Sequence, residues 1–196
     1  MSGIQKRRMA TAADLLALPE EERFHEIIDG ELVRKAMPSA RHGAAQGRVF
    51  RSVSPYDHRP RPPHPGGWWF ATEAEVEFEP SEVYRPDVAG WLRARMPELP
   101  DEMPIPLRPD WICEVLSRSN KRNDTIKKRR IYHRCGVPHS WIVDPMEETL
   151  DVYRWHVDGY LQVLAAERGD RVRPEPFDGI ELQVGVLFGD DEDGDG

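Results

Sequence analysis

Two acidic residues of this chain lie inside apolar stretches, where a charge is costly to bury. Glu114 interrupts residues 111–116, and Asp87 stands near the start of the run at residues 84–91. A buried carboxylate needs a cation, a network of hydrogen bonds or a raised pKa. For Glu114 taken alone, a strand end whose alternate residues face solvent stays open as an alternative. Two strands that each supply one carboxylate can build a site for a hard cation such as Mg²⁺, which prefers oxygen ligands.

A lysine on the segment that follows Glu114 could complete such a site. Asp124, Lys128 and Tyr132 are spaced four residues apart, which places them along one face of a helix. An ammonium group that points at the carboxylates could hold a water molecule or stabilise negative charge on a phosphate. The alternative for Lys128 is a solvated member of the basic run at residues 127–130.

Three further residues are secondary candidates for the same site. Glu26 could be an outer member of the carboxylate cluster, or an exposed strand residue. His42 stands near the start of a predicted helix and could contact phosphate or substrate, or simply cap that helix at the surface. Asp124 could orient Lys128 one helical turn away, or interact with the helix dipole near the N-terminus.

The central element that would position these groups is a β-α-β unit. Residues 109–145 contain an apolar run, a basic helical segment, a Gly-Val-Pro break and a second apolar run. This is the length that a crossover between parallel strands requires. Before this unit, Asp29-Gly30 predicts a hairpin within residues 24–33, and residues 39–55 are predicted to form a helix.

The remaining strands are predicted from alternation and turn residues. Residues 68–78 are predicted to form one strand with Glu73, Glu75 and Glu77 on a solvated face, although one of these acids could approach the site. Residues 149–155 and 160–165 predict a hairpin through Asp158-Gly159. Short strands near Val172 and at residues 180–182 are expected to extend the sheet.

Composition predicts one domain in a reducing compartment. The chain has 196 residues and a net charge of −8, which argues against a surface that is basic throughout. Its two cysteines have no zinc-binding spacing, and no long apolar segment or signal peptide is evident, so we expect a cytoplasmic protein without membrane contact. We expect a flexible arm at residues 1–9, a single domain at residues 10–188 and a disordered acidic tail at residues 189–196.

Several motifs together resemble a known family. They are Pro86-Asp87, Glu114-Val115-Leu116-Ser117, the Asp124, Lys128 and Tyr132 set, and Gly136-Val137-Pro138 followed by Trp141-Ile142-Val143-Asp144-Pro145. This combination is similar to the Uma2 (DUF820) family of endonucleases, within the PD-(D/E)XK nuclease-like superfamily. The resemblance covers roughly residues 10–190. The motifs at residues 86–145 are specific in combination, and each motif alone would be weak.

The resemblance implies a fold and a chemistry. The fold would be α/β (α+β mixed), with a restriction-endonuclease-like core in which a central mixed β-sheet is flanked by helices, and with additional β-hairpins. Asp87, Glu114 and the main-chain carbonyl of Val115 would bind Mg²⁺ or Mn²⁺. Asp87, Glu114 and Lys128 would be catalytic in an endonuclease that hydrolyses DNA phosphodiester bonds.

The chain departs from the superfamily pattern at two places. The pattern puts lysine two positions after the acid, where this chain has Leu116, so the resemblance implies that the lysine has moved to Lys128. The family usually reads Ser-Pro-Ser-Thr after the strand, whereas this chain reads Ser117-Arg118-Ser119-Asn120.

Two other functions remain open from the sequence. One is a catalytically silent nucleic-acid- or protein-binding module that retains the nuclease fold, which the net acidity favours and the intact residue set disfavours. The other is hydrolysis of another substrate class by the carboxylate pair, although no serine triad, phosphate-binding glycine loop or zinc motif is evident. A homodimer would suit an enzyme that cuts a symmetric duplex.

Overall fold

The computed structural model describes residues 8–61, 66–117 and 123–191, and the side chains of Glu20 and residues 123–125 lie outside this description. Within these residues, the strands are β1 His25–Ile28, β2 Glu31–Arg34, β3 Trp68–Thr72, β4 Val76–Glu79, β5 Glu82–Tyr84, β6 Val88–Leu92, β7 Trp111–Val115, β8 His139–Asp144, β9 Thr149–Arg154, β10 Leu161–Glu167, β11 Arg171–Val172 and β12 Leu182–Gln183. The α-helices are α1 Ala12–Leu16, α2 Ala40–Val53 and α3 Arg129–Arg134. Short 3-10 helices cover Glu20–Glu22, Ser54–Tyr56 and Val184–Phe188, and a π-helical segment, Asn123–Lys128, leads into α3.

The larger sheet carries the predicted β-α-β unit. Its strand order is β10-β9-β8-β7-β6-β3. β7 and β8 are parallel, whereas the other neighbouring pairs in this sheet are antiparallel. The π-helical segment and α3 make the crossover between β7 and β8, as a parallel pair requires. This mixed sheet flanked by helices has the fold class that the sequence predicted.

A smaller sheet, with strand order β2-β1-β5-β4, packs beside the larger one. β1 and β2 form the predicted hairpin, and Asp29 and Gly30 turn the chain with φ angles of 54° and 72°. Positive φ at both central residues is what a tight hairpin turn requires and explains the Asp-Gly pair. The hairpin places Glu26 on a buried strand and Lys35 directly after β2.

The prediction of one strand over residues 68–78 is wrong. The chain leaves β3 and reverses its conformation at Glu73, where φ is 55°, so β3 joins the larger sheet and β4 the smaller one. Because the alternation is broken there, the three glutamates do not share a solvated face. Glu75 is buried and forms an ion pair with Arg85, and Glu73 turns towards Lys35.

The expected extension of the larger sheet by the C-terminal strands is also wrong. β11 and β12 pair with each other as a separate two-stranded sheet. Leu182, Val184 and Leu187 are buried in the main core cluster. Burial of these side chains holds the segment over the face of the sheet, so it does not lie along the edge of the sheet.

The core lies on both faces of the larger sheet because alternate strand residues point to opposite sides. On one face, α2 and the C-terminal segment cover Trp111, Cys113 and Val115 of β7. On the other face, α3 covers Ile112, and Glu114 shares the alternation of Ile112. The carboxylate therefore faces α3 and the smaller sheet.

The chain ends lie mostly outside the described residues. Residues 1–7 of the predicted flexible arm and residues 192–196 of the predicted acidic tail belong to that part. Within the tail, Asp190 forms an ion pair with Arg168. None of the described helices is long and apolar enough to cross a membrane.

Candidate active site

Asp87 and Glu114 meet where the two sheets adjoin. Val88 of β6 pairs with Cys113 of antiparallel β7. Extending this register by one position sets Asp87 opposite Glu114, and directly opposite residues on neighbouring strands lie on the same face. Both carboxylates are buried, with exposures of 2% for Asp87 and 1% for Glu114. The structure therefore brings the two carboxylates together, Glu114 from β7 and Asp87 from the residue directly before β6.

Asp87 is held by positive charge and by a backbone donor. Its Oδ1 atom lies 3.1 Å from Nζ of Lys35, and its Oδ2 atom lies 3.2 Å from Nε2 of His42. The backbone N–H of Val115 also donates to Oδ2, at 2.7 Å. Burial disfavours the charged form, but Lys35 and His42 outweigh it and hold the pKa of the Asp87 carboxyl well below its usual range. Asp87 is therefore anionic at neutral pH.

Lys35 is a buried lysine that the sequence analysis did not identify. Its ammonium group donates to Oε2 of Glu73 at 2.6 Å, to the carbonyl oxygen of Arg85 at 2.7 Å and to Asp87. Burial works against its charge, yet the field of Asp87 and Glu73 raises its pKa above the ordinary value. Lys35 is thus a fixed cation between two carboxylates.

Lys128 occupies the equivalent position beside Glu114. Its Nζ atom lies 2.7 Å from Oε1 of Glu26 and 3.6 Å from Oε1 of Glu114, and the residue is 1% exposed. The alternative of a solvated lysine is therefore wrong. Glu26 is only 4% exposed, and its Oε1 atom also accepts the backbone N–H of Arg85 at 2.8 Å. The alternative interpretation of Glu26 as an exposed strand residue is therefore wrong.

Tyr132 also contacts Glu114, from the next turn of the helix. Its hydroxyl donates a hydrogen bond to Oε1 of Glu114. Burial and the neighbouring Glu114 carboxylate raise the pKa of the Tyr132 phenol well above its ordinary value. Tyr132 therefore stays protonated and acts as a permanent donor that fixes the carboxylate.

The ligand atoms offered by Asp87 and Glu114 are of the chemical type that a hard divalent cation binds. Asp87 and Glu114 offer carboxylate oxygens, which Mg²⁺ and Mn²⁺ prefer. In the described residues each of these carboxylates contacts an ammonium group, and no set of three or more His, Cys, Asp or Glu side chains there is arranged to hold a metal ion. The positive charge that a metal ion would bring is supplied by Lys35 and Lys128.

The structure brings most of the predicted residues together. Asp87, Glu114, Lys128, Glu26 and His42 all take part in the buried cluster. Their catalytic roles, and the role of the Val115 carbonyl as a metal ligand, stay predictions. The side chain of Asp124 lies outside the described residues, so its proposed contact with Lys128 also stays a prediction.

Three members of the cluster had weak signals or none in the sequence. Gln46 donates to the Asp87 carbonyl oxygen at 2.8 Å, and its position four residues after His42 on one helix face could have suggested it. Glu73 was hidden by the assumption of an unbroken strand. Lys35 follows an exposed hairpin strand in a polar sequence, so nothing local predicts its burial.

Comparisons with known proteins agree with this architecture. The sequence model of the Uma2 family, described as "Putative restriction endonuclease", matches residues 12–185. Among solved structures, the chain is similar to a "putative nuclease belonging to DUF820 from Anabaena variabilis ATCC 29413", with 24% sequence identity and a TM-score of 0.70. The match covers 91% of this chain and 97% of that chain, and it supports the fold. No curated protein matches the chain.

Proposed function

The chain belongs to the Uma2 family, whose description reads "Putative restriction endonuclease", and we propose that it is a metal-dependent endonuclease that hydrolyses phosphodiester bonds of DNA. The proposal is carried by one observation. Lys128, which stands outside the usual motif position, places its ammonium group between Glu26 and Glu114 in the cluster that contains Asp87. An acid pair with an adjacent lysine is the set of groups that the superfamily resemblance implies.

Asp87 and Glu114 are the residues that would hold Mg²⁺ or Mn²⁺, with the Val115 carbonyl as a further ligand. When bound, the cation would polarise the scissile phosphate and lower the pKa of an attacking water. Asp87 suits this role because its low pKa keeps it deprotonated. Tyr132 restricts the orientation of Glu114 through its hydroxyl.

Lys128 and His42 would act on the substrate. The Lys128 ammonium can donate hydrogen bonds to the attacking water or to a phosphate oxygen, which stabilises the negative charge that develops during hydrolysis. His42 lies in the first turn of α2, and Asp87 raises its pKa even though burial opposes its charge. The protonated ring is a suitable partner for a phosphate oxygen.

The proposal predicts metal-dependent cleavage that depends on two of these residues. Circular and linear DNA would be incubated with the protein in Mg²⁺ or Mn²⁺, and nicked and linear products would be quantified. We expect Glu114→Gln and Lys128→Met to lower the cleavage rate by at least about a hundredfold, as losing one stabilising group in an active site does.

Lys127→Met is the matched control for this experiment. Lys127 is adjacent in sequence, but it is 42% exposed and pairs with Asp29 on the surface. We expect this variant to cut at the wild-type rate. Urea unfolding of each variant shows whether a lower cleavage rate comes from the loss of a catalytic group or from unfolding of the protein. Equal cleavage by folded Glu114→Gln, Lys128→Met and wild type would contradict the proposal.

A silent binding module is the second candidate, and one observation favours it. Asp87, Glu114 and Lys128 are each no more than 2% exposed, so substrate would have to open the cluster to reach them. A silent module would bind DNA or protein without binding Mn²⁺. Calorimetric titration of the wild type with Mn²⁺ distinguishes the two: saturable binding that is lost in Asp87→Asn supports the nuclease, whereas no binding supports the module.

A homodimer and a cytoplasmic location belong to the same proposal. Two copies related by a twofold axis would present two sites to the two strands of a duplex. Light scattering coupled to gel filtration, with and without DNA, tests this assembly. The described cysteines, Cys113 and Cys135, are both free thiols, as a reducing compartment favours.

A further inference from the structure

We propose that the Lys35 ammonium group supplies, beside Asp87, the positive charge that a bound divalent metal ion would supply. The metal would bind to Asp87 only when the ammonium group gives up its contact with Asp87 and keeps its contact with Glu73. Lys35 would thereby lower the affinity of the site for metal and keep the fold stable without it. This inference rests on the proposed function, because it takes Asp87 as a metal ligand.

The ammonium group of Lys35 is held beside Asp87 by hydrogen bonds. Its Nζ atom makes three hydrogen bonds, to Asp87, to Glu73 and to the carbonyl oxygen of Arg85. The residue is 6% exposed. Those three bonds match the three donors of an ammonium group, so the position is fully satisfied.

A divalent cation on Asp87 would lie close to this ammonium group. Oδ1 of Asp87 is 3.1 Å from Nζ, and the carboxylate is buried. Like charges repel strongly at such distances in the protein interior, where screening by solvent is weak. The metal and the lysine therefore compete for the same carboxylate.

Glu73 provides the place to which the lysine can withdraw. Its Oε2 atom lies 2.6 Å from Nζ, nearer than Asp87, and its side chain is 26% exposed. Glu73 follows β3 at the strand break and is not in the ladder of the sheet. Lys35 can keep its bonds to Glu73 and to the Arg85 carbonyl while it gives up Asp87.

The competition predicts opposite effects for the two partners of this ion pair. Calorimetric titration of the full chain with Mn²⁺ would compare wild type, Lys35→Met and Glu73→Gln. We expect Lys35→Met to bind Mn²⁺ about tenfold more tightly, since the competing charge is gone. We expect Glu73→Gln to bind it more weakly, because Asp87 is then the only carboxylate that Lys35 contacts.

The double variant, Lys35→Met with Glu73→Gln, shows whether Glu73 acts by holding Lys35 or only through its own negative charge. If the charges of Lys35 and Glu73 acted independently, Glu73→Gln would weaken Mn²⁺ binding equally in the wild type and in Lys35→Met. If Glu73 acts by holding the lysine, the substitution has little effect once Lys35 is methionine. Lys127→Met, which removes a surface charge, should stay within about twofold of wild type.

Thermal unfolding without metal gives a second readout. We expect Lys35→Met to unfold at a lower temperature in EDTA, because Asp87 and Glu73 lose their shared cation, and to regain stability when Mn²⁺ is added. Unchanged stability in EDTA, or Mn²⁺ binding no tighter than in wild type, would overturn the inference. If Lys35→Met does not fold, Glu73→Gln decides, and unchanged or tighter Mn²⁺ binding there overturns it.

Failure of this inference is distinguishable from failure of the proposed function. Mn²⁺ binding by wild type that Lys35→Met does not improve would leave the nuclease proposal standing and remove the role of Lys35. Mn²⁺ binding by wild type that becomes tighter in Lys35→Met would support both. Absence of binding in every variant would overturn both.

Discussion

Glu114 shows how a carboxylate is accommodated inside this protein. It receives the Tyr132 hydroxyl and lies near the Lys128 ammonium, so one side is satisfied by a neutral donor and by a cation. A buried carboxylate that loses such a partner pays the cost of desolvation without compensation. The stability of the fold and the geometry of the site are therefore coupled at this residue.

Tyr132→Phe tests that coupling. The substitution keeps the ring but removes the donor to Glu114, and we expect it to lower the free energy of unfolding by about 1.5–3 kcal/mol, the usual worth of a hydrogen bond to a charged group. Urea unfolding at pH 7 measures it. Tyr153→Phe is the control, because no hydrogen bond of the Tyr153 hydroxyl is seen in the described part of the chain, and should change stability by less than about 0.5 kcal/mol. Equal losses in both variants would contradict the prediction.

His42 predicts a dependence of stability on pH. Burial opposes its charge, but the hydrogen bond and charge of Asp87 raise its pKa above 6.5 in the folded state. A raised folded-state pKa stabilises the fold below the unfolded-state pKa of about 6.5, and this stabilisation is lost as pH rises through the folded-state value. Asp87 stays ionised throughout because its own pKa is lowered.

We therefore expect His42→Gln to be more destabilising in acid than in base. Glutamine keeps a neutral donor, so the difference reports the charge of the ring. Near pH 5.5 the loss should approach about 1.5–3 kcal/mol, and it should shrink towards pH 9. Urea unfolding at several pH values in EDTA measures it. A loss that does not vary with pH would contradict the raised pKa.

At the scale of elements, close packing of the strands fixes the site. Gly90 lies in the middle of β6 and pairs with Phe70 of β3 and Trp111 of β7. A Cβ atom there would lie 2.9 Å from Cε1 of Phe70 and 3.2 Å from Cε3 of Trp111. Glycine therefore allows the two aromatic rings to approach the strand that positions Asp87.

Gly90→Ala should accordingly destabilise the sheet. We expect a loss of about 1–3 kcal/mol from overpacking, measured by urea unfolding. Gly43→Ala is the matched control, since Gly43 lies in α2 and a Cβ atom there would meet nothing within 4 Å. That variant should gain about 0.5–1 kcal/mol from helix propensity. A stable Gly90→Ala variant would show that the rings can move aside.

Local patterns predict the elements better than the contacts between them. The Asp29-Gly30 turn and the β-α-β unit each follow from short-range rules, and both are present. The break at Glu73 depends on which sheet the next strand joins, and alternation alone does not contain this information. Lys35 is a similar case, because its burial follows from two carboxylates that lie far from it in sequence.

At the scale of the whole molecule, charge is distributed unevenly. The chain carries a net charge of −8, which repels DNA at long range. Helix α3 nevertheless carries positive charge on its outer surface. A hollow of about 340 Å³ there is lined by Ile126, Arg129, Arg130, His133, Gly159 and Tyr160. Lys128, which directly precedes Arg129 in the chain, points inward to Glu114. One helical segment therefore connects this basic hollow to the candidate active site.

Because DNA is the proposed substrate, we expect Arg130 to contribute to DNA binding by contacting a backbone phosphate. Arg130 is exposed, and no ion pair with it is seen in the described part of the chain, whereas Arg129 lies over the Tyr153 ring at 4.0 Å. Each phosphate contact makes DNA affinity more sensitive to salt because binding releases counterions. We expect Arg130→Gln to weaken binding to all sequences similarly and to reduce the slope of log affinity against log salt by about 1.

Fluorescence anisotropy with labelled duplexes at several salt concentrations measures this slope, in Ca²⁺ or EDTA to prevent cutting. Arg173→Gln is the matched control, because Arg173 is 57% exposed but pairs with Glu181 beside the small C-terminal sheet. Its slope should equal that of wild type. If Arg130→Gln leaves the slope unchanged, DNA does not contact the hollow, and the substrate must reach Lys128 and Glu114 from another side of the junction between the sheets.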